Sequence, residues 1–343
     1  MVDYFTGILT NVTIFGVIAL GLDIQWGWAG LVNLSYVTFV AAGAYGYAVT
    51  TSAPAAANGS TGTYILGLQW PFLAGVAAGM VLAVALAAVI GAIALKRVRP
   101  EYFAIVTLAV GLVLFQLVSQ LYGLFNGQEG MYAIPNPVSD VTWAGTLIYP
   151  QVFLLICLVF VAGAVVLDRY IHDSPFGRAV RATRDAEDAA EAFGYDTFGL
   201  KLRAFVLGAA FAGVGGALLV AYLTAYGTGA WTPSETFLLF VMVLVGGKGR
   251  ALGVLLGVVL LTGVLQEATR FLPSIPGHPD AEAAIRLVII GALILASLWW
   301  RPQGLLPEAR PRDRMSGARP RAGTDALTGG EPLAGSSEGL RGA

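Results

Sequence analysis

Residues 71–95 read PFLAGVAAGMVLAVALAAVIGAIAL, and the four that follow are KRVR. The first stretch carries no charged side chain. It is long enough to cross a bilayer core, which takes about 20 helical residues. The second marks where the chain leaves the apolar phase. The same pattern recurs, with apolar runs near 4–22, 26–51, 102–122, 150–167, 204–226, 251–269 and 284–300. A shorter run, 236–247, ends in Gly246-Gly247-Lys248-Gly249. The expected fold is an all-α polytopic membrane protein of about 8–9 transmembrane helices, the first two segments separable or parts of one broken unit. Composition agrees: of 343 residues, 57% are hydrophobic and 12% charged, and mean hydropathy is +0.73. Met1-Val2-Asp3 lacks the basic start of a cleaved signal peptide, so the first run is expected to remain as a helix.

Charge placement sets the expected orientation, because short basic loops stay on the cytoplasmic side. Eighteen of the 20 Lys and Arg fall at 96–99, between Arg169 and Arg203, at Lys248 and Arg250, or from Arg301 onward. The loops 52–70 and 123–149 contain neither residue. Alternation then puts the N-terminus outside and the C-terminus in the cytoplasm. A net charge of −1 gives no basic excess for nucleic acid, and the single Cys157 permits no internal disulfide. Residues 308–343 are rich in Pro, Gly, Ser and charge, and are expected to be a disordered cytoplasmic tail.

One polar insert interrupts the apolar pattern: DSPFGRAVRATRDAEDAAEAFGYD, residues 173–196. Ser174 is a candidate N-cap, Pro175 suits the first helical position, and Gly194 suits a left-handed C-terminal turn. Phe176, Val180, Thr183, Ala186, Ala190 and Phe193 form one mildly apolar stripe at helical spacing. Arg178, Arg181 and Arg184 precede Asp185, Glu187, Asp188 and Glu191, the reverse of what a helix dipole favours. An external partner that reads those charges is one explanation; a solvated linker helix is the other. The chain thus divides into helices 1–167, the loop 168–203, helices 204–307 and the tail 308–343.

Several stretches resemble the LivM-type permeases of branched-chain amino acid ABC importers. In chain order they are GWAGLVNLSYVTFVAAGAYG (27–46), YFAIVTLAVG (102–111), the insert with KLRAFVLGAAFAGVGGAL (201–218), VMVLVGGKGRALGVLLG (241–257) and WRPQGLLP (300–307). Within the insert, Asp188-Ala189-Ala190 followed by Gly194 resembles the loose signature of a cytoplasmic coupling loop. The resemblance runs from about residue 20 to 307, with departures at Ser35-Tyr36 and in FNGQEGM (125–131). It implies a permease subunit in a prokaryotic cell membrane, moving branched-chain or related amino acids by alternating access. It also implies a second homologous permease, two ATP-binding subunits that carry ATP and Mg, and an extracytoplasmic binding protein. The ATPase subunits would hold Phe176, Gly177, Arg178, Arg181, Arg184, Asp188, Ala189, Ala190 and Gly194.

No cofactor is expected in this chain. A P-loop needs G-x-x-x-x-G-K-[ST], and MVLVGGKG (242–249) has Met at the first glycine and Gly after the lysine. The chain is expected to be no enzyme: His172 and His278 fall on opposite faces, and no H-E-x-x-H or G-x-S-x-G is present. A translocation path is expected where helices are interrupted, since freed backbone groups at membrane depth must be buried or line a cavity. The candidates are Asn33, Ser35, Tyr36 and Thr38, and Gly246, Gly247 and Gly249. Urea or a short amide is an alternative cargo within the family. An ion-coupled secondary carrier is less favoured, because Asp23, Glu101, Glu235 and Glu267 all lie near segment ends.

Overall fold

The computed structural model describes residues 2–54, 65–98, 100–138, 142–143, 146–147, 149–265, 285, 288–289, 291–292, 299 and 304–306. The tail, His278, Glu267 and most of the segment 284–300 lie outside these residues. Met1–Glu308 form one compact unit.

Helix α1 (Val2–Asp23) runs into a π-helical turn, Ile24–Trp28. After an irregular stretch come α2 (Tyr36–Thr51), α3 (Phe72–Arg97), α4 (Pro100–Gln120) and the single turn α5 (Tyr122–Phe125). A two-residue antiparallel hairpin, Thr142–Trp143 with Thr146–Leu147, precedes α6 (Tyr149–Asp173). The insert supplies α7 (Pro175–Asp185) and α8 (Glu187–Ala192). Then follow α9 (Thr197–Leu223), a 3-10 turn at Thr228–Trp231, α10 (Pro233–Gly246) and α11 (Ala251–Val258), which continues as a π turn, Val259–Leu265.

Six segments among the described residues are long and apolar enough to cross a membrane: Asp3–Trp28, Phe72–Arg97, Glu101–Gln120, Tyr149–Asp173, Thr197–Leu223 and Thr228–Gly246. The all-α polytopic expectation holds, with two boundary corrections. The expected segment 26–51 does not exist as one helix: the first helix keeps residues to Trp28, and α2 begins at Tyr36. Gly30, at φ +71°, turns the chain out of the helix between them. The insert is two helices, split where Ala186 takes φ −154° and ψ 85°.

Packing ranks the helices. In α9, 78% of the apolar window is buried, against 17% in α4 and in α6. The reason is side-chain size: glycines let backbones meet, as small faces do in membrane bundles. A Cβ at Gly216 would land on the Val40 carbonyl of α2, one at Gly43 on the Gly213 carbonyl of α9, and one at Gly79 on the Gly43 carbonyl. Helices α2, α3 and α9 therefore form the tight centre. Exposed Val113, Leu155, Val159 and Val166 show that α4 and α6 turn apolar faces outward, which suits contact with lipid.

The two ends of this unit differ. At one end, Arg184 of α7 donates to the Gly27 carbonyl, and Gly249 N–H donates to Asp23 Oδ1 at 2.7 Å. Lys248 lies 5.4 Å from the centroid of the Trp26 ring. A cleft of about 550 Å³ there is lined by Lys96, Arg184, Glu187, Glu191 and Lys201. The described Lys and Arg residues all belong to segments gathered at this end. At the other, Gly67 N–H donates to Val49 O at 3.0 Å, the Tyr47 hydroxyl to Pro135 O at 3.3 Å, and Ile134 N–H to Thr224 O at 3.0 Å. The described parts of both Lys- and Arg-free loops meet here.

Candidate functional site

The interruption at 29–35 starts at the basic end, where Gly30 and Val32 are exposed, and enters the bundle at the buried Asn33 and Ser35, so its buried backbone groups need partners. Carbonyls of the π turn accept from the Ala29, Gly30 and Leu31 N–H groups at 3.3, 3.1 and 2.9 Å, and side chains serve the groups farther along. Leu34 N–H donates to Thr107 Oγ1 of α4 at 3.2 Å, and Val37 N–H to Thr236 Oγ1 of α10 at 3.3 Å. Asn33 Oδ1 accepts from both the Ser35 N–H and its hydroxyl, each at 3.1 Å. Asn33 Nδ2 donates to Gln25 Oε1 at 3.0 Å, and Gln25 Nε2 donates to Phe205 O of α9 at 2.7 Å. The π turn is thereby tied to both the break and the central helix.

All four sequence candidates in this stretch are buried: Asn33, Ser35, Tyr36 and Thr38. Their surroundings differ. The Tyr36 hydroxyl sits between the Ile18 and Gly208 carbonyls, at 2.8 and 3.1 Å, and anchors α2 to α1 and α9. Ser35 and Thr38 instead line a narrow gap with Gly111, Phe115 and Trp231. A Cβ at Gly111 would come within 2.5 Å of Ser35 Cβ, so glycine lets α4 close against the break.

The glycine candidates near α10 make a turn. Gly247 and Gly249 have φ of +113° and +81°, which only glycine adopts without strain. Leu305 N–H donates to Val245 O at 2.9 Å and Leu306 N–H to Gly246 O at 3.0 Å, so the end of the WRPQGLLP stretch straps this turn. A Cβ at Gly246 would strike the Gly253 carbonyl of α11. Gly246 and Gly247 meet backbone and Gly249 the Asp23 carboxylate, while Ser35 and Thr38 meet the gap. Both interruptions reach the end of α1, one through Gln25 and the other through Asp23.

The insert is held from below. Ser174 Oγ accepts from Gly177 N–H at 3.2 Å and Pro175 opens α7, as its sequence indicates. Gly194 takes φ +85° after α8. Gly177 is buried, and a Cβ on it would meet the Ile171 carbonyl, so it sets the approach of α7 to α6. Phe176, half-buried, packs on the core. Arg178 donates to Asp173 O at 2.6 Å, Arg181 to His172 O at 3.1 Å, and Arg184 to Gly27 O. Those carbonyls close α6 and the π turn, where a helix leaves its last carbonyls without intrahelical donors. The charge order that suggested an outside reader thus has an internal use.

Ala190 is buried with Val180 and Thr183, but Phe193, expected in the same stripe, is 84% exposed. The break at Ala186 rotates α8 and releases it. Asp188, Ala189, Gly194 and Tyr195 are exposed beside it. Two carboxylates are buried: Asp23, which the sequence places near a segment end, is fully so, and Asp168, which the expected segment 150–167 stopped short of, is 3% exposed in α6. Among the described residues no group of His, Cys, Asp and Glu is arranged to hold a metal.

The family described as the permease component of the branched-chain amino acid transport system matches residues 4–298. The high-affinity branched-chain amino acid transport system permease protein LivM of Salmonella typhimurium is 30% identical over 326 residues, covering 89% of this chain and 70% of that protein. The Escherichia coli protein of the same name is 29% identical over the same shares. A probable LivM of Methanocaldococcus jannaschii is 26% identical, covering 90% of this chain and 94% of its own. No solved structure matches the chain.

Proposed function

The chain belongs to the family of branched-chain amino acid transport permease components, and on that premise we propose that it is the membrane subunit of an ATP-driven amino acid importer working by alternating access. The observation that carries the proposal is the mounting of the insert. Its arginines grip the carbonyl ends of α6 and α1, and its far side presents Asp188, Ala189, Phe193, Gly194 and Tyr195 to the surroundings. An aromatic ring left 84% exposed on a polar loop suits burial against another protein. ATP-binding subunits would clasp this face, and tilting α7 would pull on the π turn through Arg184. The pull reaches Gln25, Asn33 and the side-chain-lined break, whose bonds can exchange without unfolding a helix.

The basic end would face the cytoplasm, which puts the N-terminus outside. The full assembly has a second homologous permease, two ATPase subunits with ATP and Mg, and an extracytoplasmic binding protein. The relatives' names support branched-chain amino acids as cargo over urea or amides. The buried carboxylates of Asp23 and Asp168 favour the ion-coupled carrier, yet Asp23 already accepts from the Gly249 amide.

The test is purification of the tagged chain in mild detergent, mass spectrometry of what stays bound, and leucine uptake after reconstitution. The importer predicts a second permease, ATP-binding subunits and uptake that stops without ATP. A chain that comes out alone and moves leucine on an ion gradient would contradict it.

A further inference from the structure

Ten residues beyond the break, α2 carries Tyr45, and three aromatic rings from distant parts of the chain gather about it and its neighbour Trp231. The Tyr45 ring lies 4.8 Å from Phe125, 5.3 Å from Tyr226 and 6.4 Å from Trp231, measured between centroids. Phe115 stands edge-on to Trp231 at 5.3 Å and also lines the gap with Ser35 and Thr38. The cluster therefore continues the break toward the end where the uncharged loops meet. Its backbone frame is fixed: Met131 and Tyr226 exchange both N–H···O bonds, at 2.8 and 2.9 Å.

Such a cluster would ordinarily be packing, but its polar atoms are unusual. Tyr45, Tyr226 and Trp231 are 3%, 3% and 2% exposed. The two hydroxyls and the indole N–H make no hydrogen bond among the described residues. Burying a donor without a partner is costly, and native proteins rarely tolerate it without a use. Glu235 follows Trp231 by four residues, in the first turn of α10. Three buried donors thus share one aromatic cluster, and an acid stands one helical turn along the chain from it.

We propose that Tyr45, Tyr226 and Trp231, with Glu235 beside them, form the station that recognises the zwitterionic head of an α-amino acid on its way through the permease. The proposal rests on the importer reading above and names where that protein distinguishes its cargo. The O–H and N–H groups donate to the carboxylate, since bonds to a charged acceptor are the strong ones. The ring faces and Glu235 receive the ammonium. The rings touch one another here, so cargo would exchange ring–ring contacts for ring–ammonium ones as the cluster opens. Urea and simple amides carry neither charge and would gain little from it.

The reconstituted transporter tests this with radiolabelled leucine and radiolabelled urea as probes. Tyr45→Phe and Tyr226→Phe each remove one hydroxyl and keep the ring. Each is expected to lower leucine transported per ATP hydrolysed about tenfold, with thermal stability unchanged or raised, because an unpartnered buried hydroxyl contributes nothing to folding. Glu235→Gln, at the margin of the cluster, is the independent variant and is expected to act in the same direction. Leucine coupling equal to wild type in all three overturns the station. Wild-type transport of urea in preference to leucine also overturns it. A wild-type chain that moves leucine without any ATPase overturns the importer reading instead, which separates the two failures.

Discussion

The two interruptions in this bundle solve one problem with different mixes of backbone and side-chain partners. Between α1 and α2 the π-turn carbonyls accept from the Ala29, Gly30 and Leu31 N–H groups, while the Leu34, Ser35 and Val37 N–H groups go to the side chains of Thr107, Asn33 and Thr236, with Gln25 bracing Asn33. Between α10 and α11 they are met chiefly by backbone, with Leu305 and Leu306 bonded to Val245 and Gly246 and glycines at positive φ. Side chains can change rotamer and partner while the chain stays folded. Backbone pairing at a glycine turn has no such freedom. The first interruption is therefore built to move and the second to stay fixed, and Asp23, at the end of α1, ties the moving part to the fixed one through Gly249.

If so, Gly247→Ala should do the most damage. A Cβ there meets the Leu306 carbonyl at φ +113°, and left-handed strain alone costs about 1–3 kcal/mol; loss of the folded chain in size-exclusion profiles is the expected readout. Asp23→Ala comes next. A hydrogen bond to a charged group is worth about 1.5–3 kcal/mol, so the melting temperature in detergent should fall clearly, with Asp23→Asn recovering most of it. Smaller in stability but larger in function is Arg181→Glu with Arg184→Glu. Removing the grip on His172 O and Gly27 O should lower uptake per ATP about tenfold, equivalent to ~1.4 kcal/mol, while the chain still inserts. Thr236→Val should be mildest, about 1 kcal/mol for one weak 3.3 Å bond. A larger loss there than at Gly247 would reverse the assignment of moving and fixed parts.

Much of this was legible in the residues. Runs such as 71–95 announce membrane helices, and Ser174, Pro175 and Gly194 mark the insert's ends where the structure has them. The first break was harder to read, because Leu31, Val32 and Leu34 keep hydropathy high across Gly30, Asn33 and Ser35. The split at Ala186 was invisible, since alanine is the strongest helix former and only tertiary packing places it off the helix. Gln25, Thr107 and Thr236 sit as single polar residues in apolar runs. Sequence spacing does not say that they converge on one loop 73 and 199 residues apart from it. The charge order of the three arginines suggests a partner, and nothing local reveals that carbonyls of α6 and of the π turn lie beneath them.

The most direct test of the coupling role uses the fact that the single cysteine, Cys157, is buried. In a Cys157→Ser background, Ala189→Cys on the exposed face of α8 and Leu68→Cys at the opposite end are each treated with a short cross-linker in native membranes. The account predicts an ATP-binding subunit joined to the residue 189 variant and none to the residue 68 variant. An ATP-binding subunit captured at residue 68, with none at residue 189, would contradict it.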